Sequence, residues 1–374
     1  MIPYFILILV PLLFCFVSIE GEHTLRVRVG DTQTIREHSA ALPVFFTLLT
    51  LLLVLRSETL GRDLSNYKYM FEGYSRLSFR TIFRPAFLQE NDWLFVALNL
   101  LFSRVSGNFH SFVAFVGIIT ILPIAALYCE DRRKSALQIA VFLSLSNFIM
   151  FFSGLRQSLA VTAGVISYRF VKEKKLLPYL LWVFIAMSFH HSGVVLLLLY
   201  PIYHLTLRRK HLLIIAPIII VILVFSKQVF TILDRILVSY SDRYESGTTE
   251  TGAYAFLILF ALYALFCFLI SNEQTMTPEL NGLRNILLLT VVFQCFAPIH
   301  FLAMRLNYYF MIFTPITISK CVSNPNQRYQ QVARLGGIVI TVFFSFYFLW
   351  VVYYSSTTGI SSLDTYPYRF FWQT

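Results

Sequence analysis

Long runs of apolar residues, separated by short polar segments, dominate this sequence. A membrane-spanning helix needs about 20 mostly apolar residues, with a lower limit near about 17. The strands of a membrane β-barrel would instead alternate apolar and polar positions. We therefore predict an all-α, polytopic transmembrane helix bundle with about twelve spans. The predicted spans are 2–19, 40–55, 109–128, 136–153, 157–171, 176–189, 192–207, 211–226, 253–271, 285–300, 302–319 and 335–354.

Lysine and arginine are unevenly distributed between the loops on the two sides. If the short apolar stretch 84–105 does not cross, one side carries 17 Lys and Arg, and the other carries six outside the long segment 56–108. Because cytoplasmic loops are enriched in these residues, the first side is predicted to be cytoplasmic. The length of 84–105 leaves open whether it crosses or forms a juxtamembrane or re-entrant helix.

This topology leaves two long external segments in a single transmembrane domain, 1–374. Segment 56–108 is predicted to carry juxtamembrane helices. In segment 227–252, four apolar residues at helical spacing predict a helix lying on the membrane surface. These residues are Phe230, Leu233, Ile236 and Leu237.

Composition agrees with a membrane protein. The chain of 374 residues is 57% hydrophobic and only 13% charged, whereas a soluble domain averages about 45–50% and about 25%. A cytosolic globular enzyme is therefore excluded. The net charge of +11 is read as loop charge beside anionic lipid rather than as a nucleic-acid surface. The five cysteines are scattered and indicate neither a zinc site nor a disulfide framework.

Several catalytic motifs are missing from the sequence. There is no phosphate-binding P-loop, no dinucleotide fingerprint, no zinc-protease motif and no nucleophile elbow. No charged residue lies in the middle of a predicted span, where ion-coupled transporters usually keep one. We therefore expect neither a cofactor nor a metal, and the pattern disfavours a transporter.

A set of polar residues follows the second predicted span. Gly61 permits a break in the chain, and Asp63 is placed to cap a short helix. Tyr67 and Phe71 follow at intervals of four, on the same face as Asp63. The alternative is that Asp63 only caps the helix and that Arg56 only anchors it to lipid headgroups.

Two arginines are predicted at the outer starts of inward-running helices. They are Arg156, in the segment 152–157, and Arg305 on the eleventh span. A guanidinium at the positive end of a helix dipole favours a phosphate or diphosphate ligand. The alternative is that both residues anchor the helices to headgroups.

An outer hairpin carries His190, His191 and Ser192. His190 ends a helix, where an imidazolium is favoured, so it could bind phosphate or act as a general acid or base. A lone interfacial histidine is more often a hydrogen-bonded spectator. Glu90 and Asp92 form an acidic pair, but two carboxylates without a third ligand are weak support for a metal site.

Taken together, these motifs resemble the EpsG/Wzy-like family of bacterial polysaccharide polymerases. The resemblance runs in chain order through Arg56, Gly61, Asp63, Tyr67 and Phe71, then Glu90, Leu155, Arg156, Gln157 and Ala160, the loop 172–175, Ala186, Phe189, His190 and Ser192, and Arg305, Tyr308 and Tyr309. Arg62 departs from the family pattern, which more often has a small residue before the aspartate.

The resemblance implies a fold similar to the GT-C class of membrane glycosyltransferases, in the bacterial cytoplasmic membrane. Such proteins join oligosaccharides carried by undecaprenyl diphosphate into O-antigen or exopolysaccharide on the outer face. It implies donor and acceptor lipid-linked oligosaccharides, membrane lipid and a possible chain-length regulator as partners, with no nucleic acid.

The resemblance also assigns roles to individual residues, which we state as expectations. Arg156, Arg305 and Arg56 are expected to bind the diphosphate, and either Asp63 or His190 is expected to be the base. Substrate contacts are expected from Tyr67, Glu90, Gln157, Tyr308 and Tyr309. The alternatives are a flippase or another transporter of lipid-linked oligosaccharides, and a related ligase or acyltransferase.

Overall fold

The computed structural model describes residues 1–20, 25–29, 32–36, 39–82, 84, 92–229, 231, 252–299, 301–361 and 364–373. These residues are helical almost throughout, except for one β-hairpin. Its strands, β1 (Leu25–Val29) and β2 (Thr32–Arg36), pair antiparallel. The hairpin lies in a segment that the sequence predicted as a loop, and the predicted helical class is confirmed by the rest of the described residues.

The chain folds into two compact units, which are described separately. The first unit contains Met1–Val194 and Gly337–Thr374, and the second contains Val195–Gly336. The single transmembrane domain stays a prediction.

The first unit contains ten helices among its described residues before residue 190. They are α1 (Ile2–Glu20), α2 (Ala41–Leu55), α3 (Leu64–Tyr74), α4 (Phe79–Ile82), α5 (Trp93–Val105), α6 (Phe109–Tyr128), α7 (Ser135–Ser144), α8 (Ser146–Ser153), α9 (Leu155–Lys172) and α10 (Leu176–Phe189). A 3-10 helix, His191–Leu198, follows α10.

The second unit is also helical over the residues that the structure describes. Its helices are α11 (Leu199–His204), α12 (Leu212–Val224), α13 (Ala253–Ile270), α14 (Pro278–Gln294), α15 (Phe301–Met311) and α16 (Thr314–Ser323). The long helix α17 (Gln330–Thr358) begins at the end of this unit and continues into the last segment of the first.

Three helices in the described ranges are long and apolar enough to cross a membrane by themselves. They are α6, α13 and the helical stretch Gln327–Thr358, and a bent pair of helices, α7 and α8, would add a fourth. The protein is thus a helical membrane protein. The lengths of the helices do not establish all twelve of the predicted spans.

Several predicted spans are interrupted in the structure. The predicted span 136–153 bends by 60° between α7 and α8, where Leu145 has an extended backbone with φ −88° and ψ 149°. The predicted span 302–319 is divided into α15 and α16. Apolar runs do not reveal such breaks, because both halves of a broken helix remain apolar.

An aromatic core joins α3, α5, α6 and the start of α9. Tyr67 meets Phe95 edge to face at 5.5 Å, and Phe71 stacks on Phe112 at 5.1 Å. Such ring pairs add about 0.5–1.5 kcal/mol beyond their buried area. The predicted helix after Asp63, with Tyr67 and Phe71 on one buried face, is confirmed.

The predicted break at Gly61 is also confirmed. Gly61 has a φ of +117°, and a Cβ there would overlap the carbonyl oxygen of Phe152. Only glycine fits both the backbone conformation and this close approach. The turn therefore packs the start of α3 directly against the end of α8.

The C-terminal segment 364–373 packs back onto the first unit. Backbone N–H groups of Ser57 and Gly61 donate to the carbonyls of Arg369 and Asp364, at 2.8 and 3.1 Å. The hydroxyl of Tyr368 donates to the carbonyl of Leu52 at 2.7 Å. The tail therefore covers the junction between α2 and the segment that leads into α3.

Candidate functional site

A salt bridge joins the start of α9 to the start of α5. Arg156 is the second residue of α9, and its Nη1 donates to Oδ2 of Asp92 at 2.7 Å. Asp92 immediately precedes α5 and is buried, whereas the Arg156 side chain is 29% exposed. The predicted place of Arg156 at a helix start is confirmed, so its charge adds to the positive end of the helix dipole.

The second oxygen of the same carboxylate binds His191. Nδ1 of His191 lies 2.6 Å from Oδ1 of Asp92, and the backbone N–H of His191 donates to that oxygen at 3.3 Å. The His191 side chain is 50% exposed. Asp92 therefore bridges a guanidinium and an imidazole, both of which reach the surface of the first unit.

This arrangement keeps Asp92 ionised. Burial raises the pKa of Asp92, but the hydrogen bond from His191 and the electrostatic interactions with His190 and Arg156 outweigh it. The net result is a pKa below the ordinary value of an aspartate. A carboxylate paired in this way remains negatively charged at neutral pH.

Tyr67 and Asp63 lie beside this cluster. The guanidinium of Arg156 lies over the Tyr67 ring, 5.8 Å from its centroid, which is a cation–π contact. Asp63 precedes α3 and accepts the backbone N–H of Tyr67 at 3.0 Å. Its side chain makes no capping hydrogen bond, and its own N–H donates to Ser153 Oγ at 3.2 Å. Asp63 is thus one helical turn from the ring that supports Arg156.

His190 is held by the residue that follows His191. Its Nδ1 accepts the backbone N–H of Ser192 at 3.2 Å and lies 2.8 Å from Ser192 Oγ. The predicted place of His190 at a helix end is confirmed, and its side chain is buried there. Its imidazole therefore lies deeper than that of His191.

Arg56 does not reach the surface in the structure. Only 1% of it is exposed, its Nη1 donates to the Phe151 carbonyl at 2.9 Å, and its guanidinium lies 5.8 Å from the Phe152 ring centroid. Burial lowers its pKa to about 10, so it stays charged at neutral pH. Its backbone also forms a bridge to Phe370 of the tail. The structure thus differs from the expectation of a diphosphate ligand at this position.

Of the two further expected substrate contacts in this region, the structure describes only Gln157. Gln157 is buried beside Arg156 in α9. Glu90 lies outside the described residues, as does most of the predicted surface helix of segment 227–252.

The second unit holds the remaining expected residues, all on α15. Arg305 is the fifth residue of α15, in its second turn and partly exposed, rather than at the helix start as predicted. Tyr308 and Tyr309 are buried, with 7% and 1% of their surface exposed. Both rings pack in the interior of the second unit, and their expected contacts with substrate stay predictions.

The first unit thus brings together a cation, a carboxylate and an imidazole from distant parts of the sequence. A partly exposed guanidinium binds oxyanions such as phosphate. An imidazole backed by a carboxylate can accept a proton from a hydroxyl group. Together they provide an anion contact and a base at one surface.

Sequence reasoning missed Asp92 and His191 as members of this site. Asp92 was noticed only as half of an acidic pair, and His191 only as the neighbour of His190. The signal that could have singled them out is weak: an aspartate directly before an apolar helix, and two consecutive histidines at a hairpin. Their pairing spans 99 residues of sequence.

The comparison with protein families identifies the chain. The family model described as the EpsG family matches residues 39–370, which is most of the sequence and includes every candidate site residue. The chain therefore belongs to the EpsG family, and the resemblance noted from its motifs is confirmed. No curated protein and no solved structure matches the chain.

Proposed function

We propose that this EpsG-family protein is a polymerase that joins oligosaccharide repeat units carried on undecaprenyl diphosphate into O-antigen or exopolysaccharide. One observation carries the proposal: the cation of Arg156 and the imidazole of His191 share the carboxylate of Asp92 at one surface. Glycosyl transfer from a lipid diphosphate requires both an anion contact and a base.

The leaving group determines what the protein must supply. When the bond from the sugar to the diphosphate breaks, negative charge develops on the diphosphate oxygen. A positioned guanidinium stabilises that charge more strongly in the transition state than in the ground state. We assign this role to Arg156, because its side chain is 29% exposed at the start of α9.

Three other residues with expected roles are assigned a function according to how exposed each side chain is. Arg305 in the second unit keeps its proposed role as a diphosphate contact, because its side chain is partly exposed. Tyr67, beneath the Arg156 guanidinium, is proposed to orient that cation. Arg56 is proposed to hold the segment that carries Asp63, since its charge lies behind the tail.

The setting is proposed from the sequence. We propose twelve spans, a GT-C-like arrangement and a site on the outer face of the bacterial cytoplasmic membrane. The positive-inside bias of the loops supports this orientation. Donor and acceptor are then both lipid-linked oligosaccharides, and a chain-length regulator is a further proposed partner.

A deletion strain tests the function directly. We expect it to lose the polymer ladder on a gel, to carry at most a single repeat unit on its surface glycans, and to recover the ladder with the wild-type gene. Precursor accumulating on the cytoplasmic leaflet would instead indicate a flippase. Loss of every repeat unit from the surface, with polymer still formed on the lipid carrier, would indicate a ligase.

A further inference from the structure

At the two consecutive histidines of the hairpin, the Nδ1 atoms meet different kinds of group: a hydrogen-bond donor at His190 and an acceptor at His191. The backbone N–H of Ser192 donates to Nδ1 of His190. An N–H can donate only to a nitrogen with a free lone pair, so Nδ1 of His190 carries no proton. Neutral His190 therefore carries its proton on Nε2, where it is a hydrogen-bond donor.

His191 has the reverse arrangement. Its Nδ1 lies 2.6 Å from Oδ1 of Asp92, and an ionised carboxylate only accepts hydrogen bonds. Nδ1 of His191 therefore carries the proton, and Nε2 keeps its lone pair. No hydrogen bond engages Nε2 within the described residues, and the side chain is half exposed.

We propose that His191 is the catalytic base of glycosyl transfer, and that Asp92 is the positioning residue that fixes its tautomer and ring orientation. This inference rests on the proposed function and deepens it. It replaces the two candidates from the sequence. His190 presents a donor where a base needs a lone pair, and within the described residues no imidazole or cation binds the carboxylate of Asp63.

The transfer step balances as follows. The acceptor hydroxyl oxygen forms a bond to the anomeric carbon of the donor sugar, and its proton moves to Nε2 of His191. The bond from the anomeric carbon to the diphosphate oxygen breaks, and its electron pair leaves with the lipid diphosphate beside Arg156. The products are the lengthened oligosaccharide, free lipid diphosphate and an imidazolium that returns its proton to water.

Asp92 serves both ends of this step. Its carboxylate stabilises the imidazolium that forms, and it holds Arg156 at 2.7 Å beside the leaving group. Among the described residues, the other titratable groups around this site are His190 at the end of α10, Asp63 before α3, and Tyr67 and Tyr74 on α3.

Kinetics of the full-length protein in lipid nanodiscs provide the first test. The substrate is the lipid-linked oligosaccharide extracted from the deletion strain. We expect His191→Gln to lower kcat by about 10²–10⁴-fold with little change in KM, as for loss of a general base. Asp92→Asn should lower kcat less and move the acidic limb of the pH profile to lower pH, because a neutral amide no longer stabilises the imidazolium. Asp92→Glu should recover part of the rate.

The matched control is Asp131→Asn. Asp131 is as buried as Asp92 and is also paired with an arginine at 2.7 Å, Arg133. Because Asp131 lies in a predicted cytoplasmic loop, we expect this variant to keep wild-type kcat and an unchanged pH profile. Equal losses in Asp92→Asn and Asp131→Asn would overturn the positioning role.

Solid-state NMR of protein labelled with ¹⁵N-histidine provides a readout that needs no substrate. At alkaline pH we expect one ring protonated at Nδ1, whose signals vanish in His191→Gln. We expect another ring protonated at Nε2, whose signals vanish in His190→Gln. Signals showing His191 protonated at Nε2 would overturn the inference.

The two tests separate this inference from the proposed function. If the wild-type protein forms polymer and His191→Gln forms it at the same rate, only the role of His191 is overturned. If the wild-type protein forms no polymer from the extracted substrate, the proposed function is overturned, and the catalytic role of His191 with it, even where NMR finds the expected tautomers.

Discussion

Asp92 and His191 are 99 residues apart in the sequence, yet one carboxylate oxygen of Asp92 contacts both the ring and the backbone N–H of His191. Because the ring and the backbone of His191 contact the same oxygen, both the orientation of the imidazole and its distance from Asp92 are fixed. The other oxygen holds Arg156 on a third segment of chain. The carboxylate is therefore the point where the starts of α5 and α9 and the end of α10 are tied together.

This carboxylate makes stability dependent on acidity. The pKa of Asp92 is lower in the folded protein than its ordinary value, so its contribution is full above about pH 4 and is lost as the pH falls through the folded pKa. We expect Asp92→Asn to lower stability by about 1–3 kcal/mol at neutral pH, because it leaves Arg156 without its charged partner. The difference in thermal midpoint between the two proteins should shrink as the pH falls below about 4. A difference that grows on acidification would contradict this linkage.

The geometry of Arg156 predicts that a positive charge at this position is not sufficient for polymer formation. Arg156→Lys keeps the charge but loses the planar fork that contacts Asp92 while leaving other N–H groups for an anion. We expect Arg156→Lys to reduce polymer formation by about tenfold or more, and Arg156→Ala to abolish it. Arg169→Ala is the control on the same helix, because Arg169 forms an exposed pair with Glu173 that is expected to contribute little. Polymer profiles on a gel, normalised to the amount of inserted protein, make the measurement.

Gly61 and Gly73 provide a matched pair of glycine substitutions. Gly61→Ala places a Cβ on the Phe152 carbonyl at a positive φ, and we expect a loss of about 1–3 kcal/mol in stability. Gly73, within α3, has no atom within 4 Å of an added Cβ. Gly73→Ala should therefore be neutral or stabilise the helix by about 0.5–1 kcal/mol. Thermal unfolding in detergent compares the two, and equal midpoints would show that the turn at Gly61 is not a tight contact.

The tail should be released when Arg56 is removed. Arg369 is exposed while its carbonyl accepts the N–H of Ser57, so trypsin can cut there only when the tail detaches. We expect Arg56→Ala to raise the rate of cleavage after Arg369 by about tenfold, because the cation bound to Phe151 beneath the tail is lost. Arg62→Ala is the control, since Arg62 forms only an exposed pair with Asp364 at 3.6 Å. Mass spectrometry of the released peptide measures the rate. Cleavage rates that rise equally in both variants would show that Arg56 does not hold the tail.

The sequence alone determined the local features of this protein. Apolar runs gave the membrane class, and family motifs gave the EpsG assignment. Glycine at residue 61 and a polar residue at 63 gave the turn and the start of α3. The position of Arg156 at a helix start was also predicted. Each of these features depends on residues that are close together in the chain. Backbone geometry, and the free energy of transferring apolar side chains from water to the membrane, act within a single helix or turn.

The tertiary structure decided which polar groups meet. Nothing local indicates that Asp92 binds His191 and Arg156, or that the tail buries Arg56. From the sequence, His190 was favoured over His191 as the base, because a helix end can be predicted from the chain. A carboxylate supplied by another helix cannot be predicted in this way. A buried charge requires a partner wherever the fold can provide one. Which partner is available depends on how the helices pack, and that is fixed by contacts between residues far apart in the sequence.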